Sequence, residues 1–187
     1  MKKNHQTDIA IKLNLDTKPY AKIETGVGFF DHMLTAFAIH SGILLEISCK
    51  GDLEVDCHHT IEDTGIVLGQ AFAKAIGNKS GIARYGNSYI PMDEALGFCA
   101  IDISGRPFLV FGGEFSFDKI GDMDTQMVEE FFRAFAIHAG VTLHINVMYG
   151  KNDHHKVEAI FKAVAHAIKM AIIPLGDDEF LSTKGVL

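Results

Sequence analysis

A near-repeat governs what this chain can fold into. Phe37-Ala38-Ile39-His40-Ser41-Gly42 returns as Phe135-Ala136-Ile137-His138-Ala139-Gly140, and Cys57-His58-His59-Thr60-Ile61-Glu62 returns as Asp153-His154-His155-Lys156-Val157-Glu158. The separation between copies changes by only two residues from the first match to the second, as one small loop deletion would produce. Two long copies indicate duplication and fusion rather than a solenoid of many short repeats. Each copy runs strand, helix, strand, helix. The order predicts an α+β fold: an internal duplication of two similar halves, each a small mostly antiparallel sheet with two helices on one face. We expect one domain over residues 1–187, with pseudo-repeats near 5–80 and 81–173 and a C-terminal tail at 174–187.

Local patterns place the elements. Ile9, Ile11, Leu13 and Leu15 alternate with polar or small residues, which predicts a strand over Asp8–Leu15. A short strand follows the Lys18-Pro19 turn. Phe29–His40 reads as a helix ended at Ser41-Gly42. Ile43–Ser48 and Leu53–Cys57 read as strands joined by Lys50-Gly51-Asp52, and a helix from about His59 to Ile76 stops at Gly77-Asn78. In the second half, strands are predicted over Asn87–Met92, Gly97–Ile103, Phe108–Gly112 and Val141–Met148. Gly121–Asp124 reads as a loop, with Asp124 or Thr125 as a cap for the helix that follows. The last helix starts at His154.

The His-His-x-x-Glu motif carries chemistry. On a helix each glutamate lies one turn from both histidines, but the two histidines point roughly 100° apart. They are thus poorly placed to share one ion, and the duplication predicts two metal sites, each assembled from more than one helix. The repeat also pairs His32 with Glu130, which extends the candidate ligands to His32, His58, His59, Glu62, Glu130, His154, His155 and Glu158. The positive end of the helix dipole disfavours protonated imidazole, so the four paired histidines are expected to stay neutral and free to ligate. Imidazole and carboxylate without thiolate suit Mn(II), Fe(II), Co(II) or Zn(II), and several ligands per site favour a five- or six-coordinate ion. The order is not the His-Glu-x-x-His of zinc metalloproteases.

Composition excludes other classes. A formal net charge of −7 argues against a nucleic-acid footprint. The apolar segment 159–173 contains Lys162, His166 and Lys169, which argues against a membrane span. Met1-Lys2-Lys3 is not followed by the apolar run of a signal peptide. Three cysteines without paired spacing suit a reducing, cytoplasmic setting.

Several segments, in order and nearly end to end, resemble one family. They are Gly28-Phe29-Phe30-Asp31-His32-Met33-Leu34, the stretch Asp56 to Thr64, Met92-Asp93-Glu94-Ala95-Leu96, Ser104-Gly105-Arg106-Pro107, the stretch Asn152 to Glu158, and Ser182-Thr183-Lys184-Gly185. Together they resemble imidazoleglycerol-phosphate dehydratase of histidine biosynthesis. The resemblance implies a manganese-dependent hydro-lyase that converts D-erythro-imidazole glycerol phosphate to imidazole acetol phosphate plus water. It implies two Mn(II) ions per active site, a metal-stabilised imidazolate and diazafulvene-like intermediate, and a 24-subunit homo-oligomer with active sites between chains. It places metal ligands on His32, His58, His59, Glu62, His154, His155 and Glu158, and phosphate-binding groups on Arg84, Arg106, Lys162, Ser182 and Lys184. Gln6 falls at a position that lines the family's active site, His40 is a candidate for substrate contact or for a structural role at the helix end, and Glu62 and Glu158 are the candidates for proton transfer, Glu62 first. Asp93 and Glu94 have no independent functional case.

The chain departs from the family pattern in three places. Glu130 stands where many relatives carry histidine, Gln6 where the family usually has glutamate, and Thr35-Ala36 replaces a common acidic-amide pair. Two other classes use similar residues. A dinuclear phosphate-ester hydrolase would release inorganic phosphate. A metal-bridged scaffold would use the histidines only for assembly.

Overall fold

The duplication is explicit in the computed structural model, which describes residues 6–176 together with Lys2–Lys3 and Leu181. The first half contains β1 (Lys2–Lys3), β2 (Thr7–Asn14), β3 (Tyr20–Glu24), α1 (Gly28–Ser41), β4 (Leu44–Gly51) and α2 (His58–Ile76). The second contains β5 (Tyr85–Met92), β6 (Ala95–Asp102), β7 (Phe108–Gly112), β8 (Lys119–Ile120), β9 (Met123–Asp124), α3 (Gln126–Ala139), β10 (Thr142–Tyr149) and α4 (Asp153–Ala171). The two main sheets have one topology, β1-β2-β4-β3 and β5-β6-β10-β7. In each sheet the strand after the first long helix is antiparallel to one neighbour and parallel to the other. Parallel neighbours need a crossover, and α1 and α3 supply it.

Helix ends repeat as well. Gly42 and Gly140 close α1 and α3 in the left-handed region, at φ 79° and 67°, where a side chain would be strained. The helices of each half cover one face of their own sheet and meet the helices of the other half, α2 against α3 and α1 against α4. The buried phenylalanines lie where these layers meet. Phe30 of α1 packs edge-on to Phe131 of α3, Phe72 of α2 tilts against Phe135, and Phe161 of α4 stacks on Phe131. One core therefore serves both halves, since burying these rings is the main favourable term in holding the layers together.

Small residues set the closest approaches. A methyl group on Gly65 would meet the Phe131 carbonyl oxygen at 2.8 Å, and one on Gly69 the Phe135 carbonyl oxygen at 2.7 Å. α2 and α3 can pack at this distance only because those positions lack a Cβ.

Three local expectations need correction. Leu53–Cys57 alternates like a strand, but it is a turn with no partner strand, and Leu53 packs over Gly26. Gly121–Asp124 is not all loop, since Met123–Asp124 pairs with Lys119–Ile120 as a small hairpin. Thr125 does precede α3, yet its hydroxyl donates to the Phe117 and Asp118 carbonyls instead of capping the helix.

Candidate metal centre and active site

Because α1 packs on α4, their first turns converge. His32, on α1, comes within 3.6 Å (Nε2 to Oε2) of Glu158, and His154 Nε2 reaches the same oxygen at 3.2 Å. One ligand atom from each of His32, His154 and Glu158 lies within 4.8 Å of the others. Two imidazoles and a carboxylate on two helices of one core form a donor set of the kind that suits Mn(II), Fe(II), Co(II) or Zn(II). Helix α4 is fixed at this point by its own start. Asn152 Oδ1 accepts from the backbone N–H of His154 and His155, and Asp153 accepts from Ser116 and Phe117 N–H and from Lys156 Nζ.

The α2–α3 pair presents the corresponding side chains. His58 Nε2 lies 3.3 Å from Glu62 Oε2, and His58 shares a cleft with Glu129, Glu130, Gln126 and Thr125. Glu130 faces that cleft with Arg133 3.6 Å from its carboxylate. In both motifs the glutamate pairs with the first histidine, four residues before it, and not with the second.

The second histidines point elsewhere. His59 Nδ1 meets the Asp52 carboxylate at 3.0 Å, and its Nε2 lies 3.3 Å from Gln6 Nε2. His155 Nδ1 meets Glu94 Oε2 at 2.7 Å, with Asp93 Oδ2 3.7 Å from its Nε2. In each, a carboxylate on Nδ1 fixes the ring, the usual outer support of a ligating histidine, while Nε2 faces Gln6 in His59 and Asp93 in His155. No sequence motif marks Asp52 or Glu94 for this role. Asp52 acts from a turn seven residues before His59, and Glu94 from one 61 residues before His155. Glu94 also accepts from the backbone N–H of Asn152 and Lys151, and the Asn152 contact, then the His155 contact, pulls its carboxyl down to about 2. The same hydrogen bond raises the His155 pKa. The Glu94 charge thus pulls His155 in the direction opposite to the helix dipole.

Comparison with known proteins decides the family. Residues 25–168 match the family model described as imidazoleglycerol-phosphate dehydratase. The chain is 51% identical over 187 residues to the imidazoleglycerol-phosphate dehydratase of Clostridium kluyveri, covering 100% of this chain and 96% of that protein. It is 52% identical over 189 residues to that of Acetivibrio thermocellus, covering 100% and 96%.

The chain belongs to the imidazoleglycerol-phosphate dehydratase family. It is a carbon–oxygen lyase, a dehydratase of histidine biosynthesis. The fold agrees. The crystal structure of imidazoleglycerol-phosphate dehydratase from Staphylococcus aureus superposes with a TM-score of 0.81 at 46% identity, over 92% of this chain and 96% of that one. The Pyrococcus furiosus enzyme gives 0.86 at 34% identity, over 100% and 99%.

The cations assigned to phosphate fall in two places in this dehydratase. Lys162 Nζ is 2.7 Å from Glu158 Oε1, next to the α1–α4 cluster. Arg84 is buried, with Nε and Nη2 on the Asp102 carboxylate at 2.7 and 3.1 Å and Nη1 donating to the Leu181 carbonyl. Arg106 is exposed, 4.0 Å from the same Asp102. Ser182 and Lys184 lie outside the described residues, next to Leu181. His40 contacts His166, Nδ1 to Nε2, at 3.1 Å, a partner that motif reading missed. No helix among the described residues is long and apolar enough to cross a membrane.

Proposed function

We propose that this chain converts imidazole glycerol phosphate to imidazole acetol phosphate and water using two Mn(II) ions per active site. The observation that carries this reading is the convergence of His32, His154 and Glu158 from two helices, with Lys162 beside them. His58, Glu62 and Glu130 would hold the second ion. Three donors from one chain, as at His32, His154 and Glu158, are fewer than a five- or six-coordinate ion takes. His59 and His155, each held at Nδ1 by a carboxylate, would complete such sites on neighbouring subunits through Nε2, in a homo-oligomer of twenty-four chains in the cytoplasm.

Bound there, the metal would supply Lewis acidity to the substrate's imidazole ring. The reaction removes hydroxide from the carbon beside the ring and a proton from the next carbon. The enol that results tautomerises to the ketone. Glu62 is better placed than Glu158 to move that proton. Its only polar side-chain contact among the described residues is His58. Both oxygens of Glu158 are engaged, Oε1 by Lys162 and Oε2 by His154 and His32. Gln6 beside His59 can hydrogen-bond but cannot carry the proton. Lys162, Arg84 and Arg106, with Ser182 and Lys184 of the tail, would hold the phosphate and so orient the reacting carbons from a distance.

Protein stripped with a chelator should lose formation of the phosphorylated ketone and regain it with Mn(II). Full activity without metal would overturn the reading. Release of inorganic phosphate in place of the ketone would mark a phosphatase.

A further inference from the structure

A polar line leads away from the α1–α4 cluster. Glu158, Lys162 and His166 succeed one another by one turn on α4, and His40 joins them from the last turn of α1. The line is closed by two contacts, Lys162 to Glu158 at 2.7 Å and His40 Nδ1 to His166 Nε2 at 3.1 Å. The duplication provides an internal control. The α2 positions that correspond to Lys162 and His166 carry Ile66 and Gln70. His138, the counterpart of His40, turns its Nδ1 to the Ala134 carbonyl at 2.9 Å instead. The cationic line therefore belongs to one helix pair only, the pair that brings His32 to His154.

Two imidazole nitrogens at this distance need one proton between them. If Nδ1 of His40 carries it, the His40 Nε2 is a bare lone pair that repels an anionic oxygen. If Nε2 of His166 carries it, His40 accepts at Nδ1 and its own Nε2 is an N–H donor. Burial first, then His166 and Lys162, with Lys169 adding, holds His40 below its ordinary pKa against the opposing pull of Glu158. In a neutral His40 the tautomer decides whether the ring can help to bind an anion.

We infer that His166 is a positioning residue: it donates from Nε2 to His40 Nδ1 and so presents the His40 Nε2–H, beside Lys162, to an oxygen of the substrate's phosphate ester. This rests on the reading of the cleft as a phosphate-ester site, so the experiment has two arms.

In the first arm, 15N-histidine solid-state NMR of the full chain, with His40→Asn to identify the signals, should find wild-type His40 as the neutral Nε2–H tautomer. Finding Nδ1–H overturns the inference without any variant of His166 or any assay. The second arm is steady-state kinetics on imidazole glycerol phosphate. His166→Phe should raise KM about tenfold with kcat changed less than about twofold, as expected for one lost hydrogen bond to a charged group. His166→Gln, whose amide can still donate, should recover most of that loss. An unchanged KM in His166→Phe, or equal losses in both variants, also overturns the inference, and His166→Leu replaces the Phe variant if that one does not fold. A wild-type protein unable to dehydrate the substrate sinks the proposed function instead, while the tautomer measurement still decides what His166 does.

Discussion

Lys162 Nζ lies 2.7 Å from Glu158 Oε1, one turn along α4, so a cation suited to the substrate's phosphate also neutralises a carboxylate of the candidate metal centre. Their side chains are 19% and 9% exposed, which leaves the pair weakly screened. Burial would raise the Glu158 carboxyl, but Lys162, with His32 and His154, outweighs it and holds the group below its ordinary value. In the proposed function, metal and phosphate recognition would share this one side chain.

Replacing Lys162 with methionine keeps the aliphatic stem and removes the charge. KM for imidazole glycerol phosphate should rise at least about tenfold, since a charged hydrogen bond to phosphate is lost. Manganese per chain, read by elemental analysis, should not change. A fall in metal content with KM intact would show that Lys162 serves only Glu158.

Gly65→Ala tests the α2–α3 contact. The added methyl would lie 2.8 Å from the Phe131 carbonyl oxygen and 3.0 Å from the Ala134 Cβ, so the helices must separate. Overpacking of this kind costs about 1–3 kcal/mol, which urea denaturation will read. The same shift moves His58 and Glu62 away from Glu130, so Mn(II) affinity should fall as well.

Asp102→Ala leaves the buried guanidinium of Arg84 without its bidentate partner. Removing one member of a buried ion pair costs about 3 kcal/mol, so the unfolding midpoint should drop clearly. Because Arg84 also holds the Leu181 carbonyl, the tail should become more sensitive to limited proteolysis. A variant as stable as the parent would remove Asp102 as the anchor of this cluster.

Asp122 caps α1 from a distant hairpin, accepting from the backbone N–H of Gly28 at 2.6 Å and of Phe29 at 3.2 Å. Burial would raise its carboxyl, but these two donors prevail and the pKa lies below its ordinary value. The native state therefore binds fewer protons than the unfolded one as pH falls through this range. The capping stability is present above the unfolded pKa and lost on acidification through the native one. Asp122→Ala should cost about 1 kcal/mol at neutral pH, the usual worth of a cap. The difference from the parent should vanish in acid, as urea midpoints measured down the pH scale will show. A gap that persists in acid would assign the loss to packing instead.

Much of the fold was legible because both periodicities are clean. The alternation of Ile9, Ile11 and Leu13 lies within β2, and Phe29–His40 lies within α1 one residue short at each end. Leu53–Cys57 misled because alternation suggests a half-buried surface without supplying a partner strand, and here Leu53 and Val55 stay exposed. The supports of the second histidines were illegible. Asp52 and Glu94 sit in turns, with no pattern linking them to His59 or His155.

The sequence by itself determined the duplication, the helices that carry each histidine pair and the chemical type of every donor, because these depend on residue identity and local spacing. Only the tertiary structure decided which donors meet. Cross-packing of α1 on α4 and α2 on α3 brings His32 to His154 and Glu158, and Glu130 to the His58 cleft. The reason is that one phenylalanine core buries both halves at once. A periodic pattern says which face of a helix must be covered, but not which other helix will cover it.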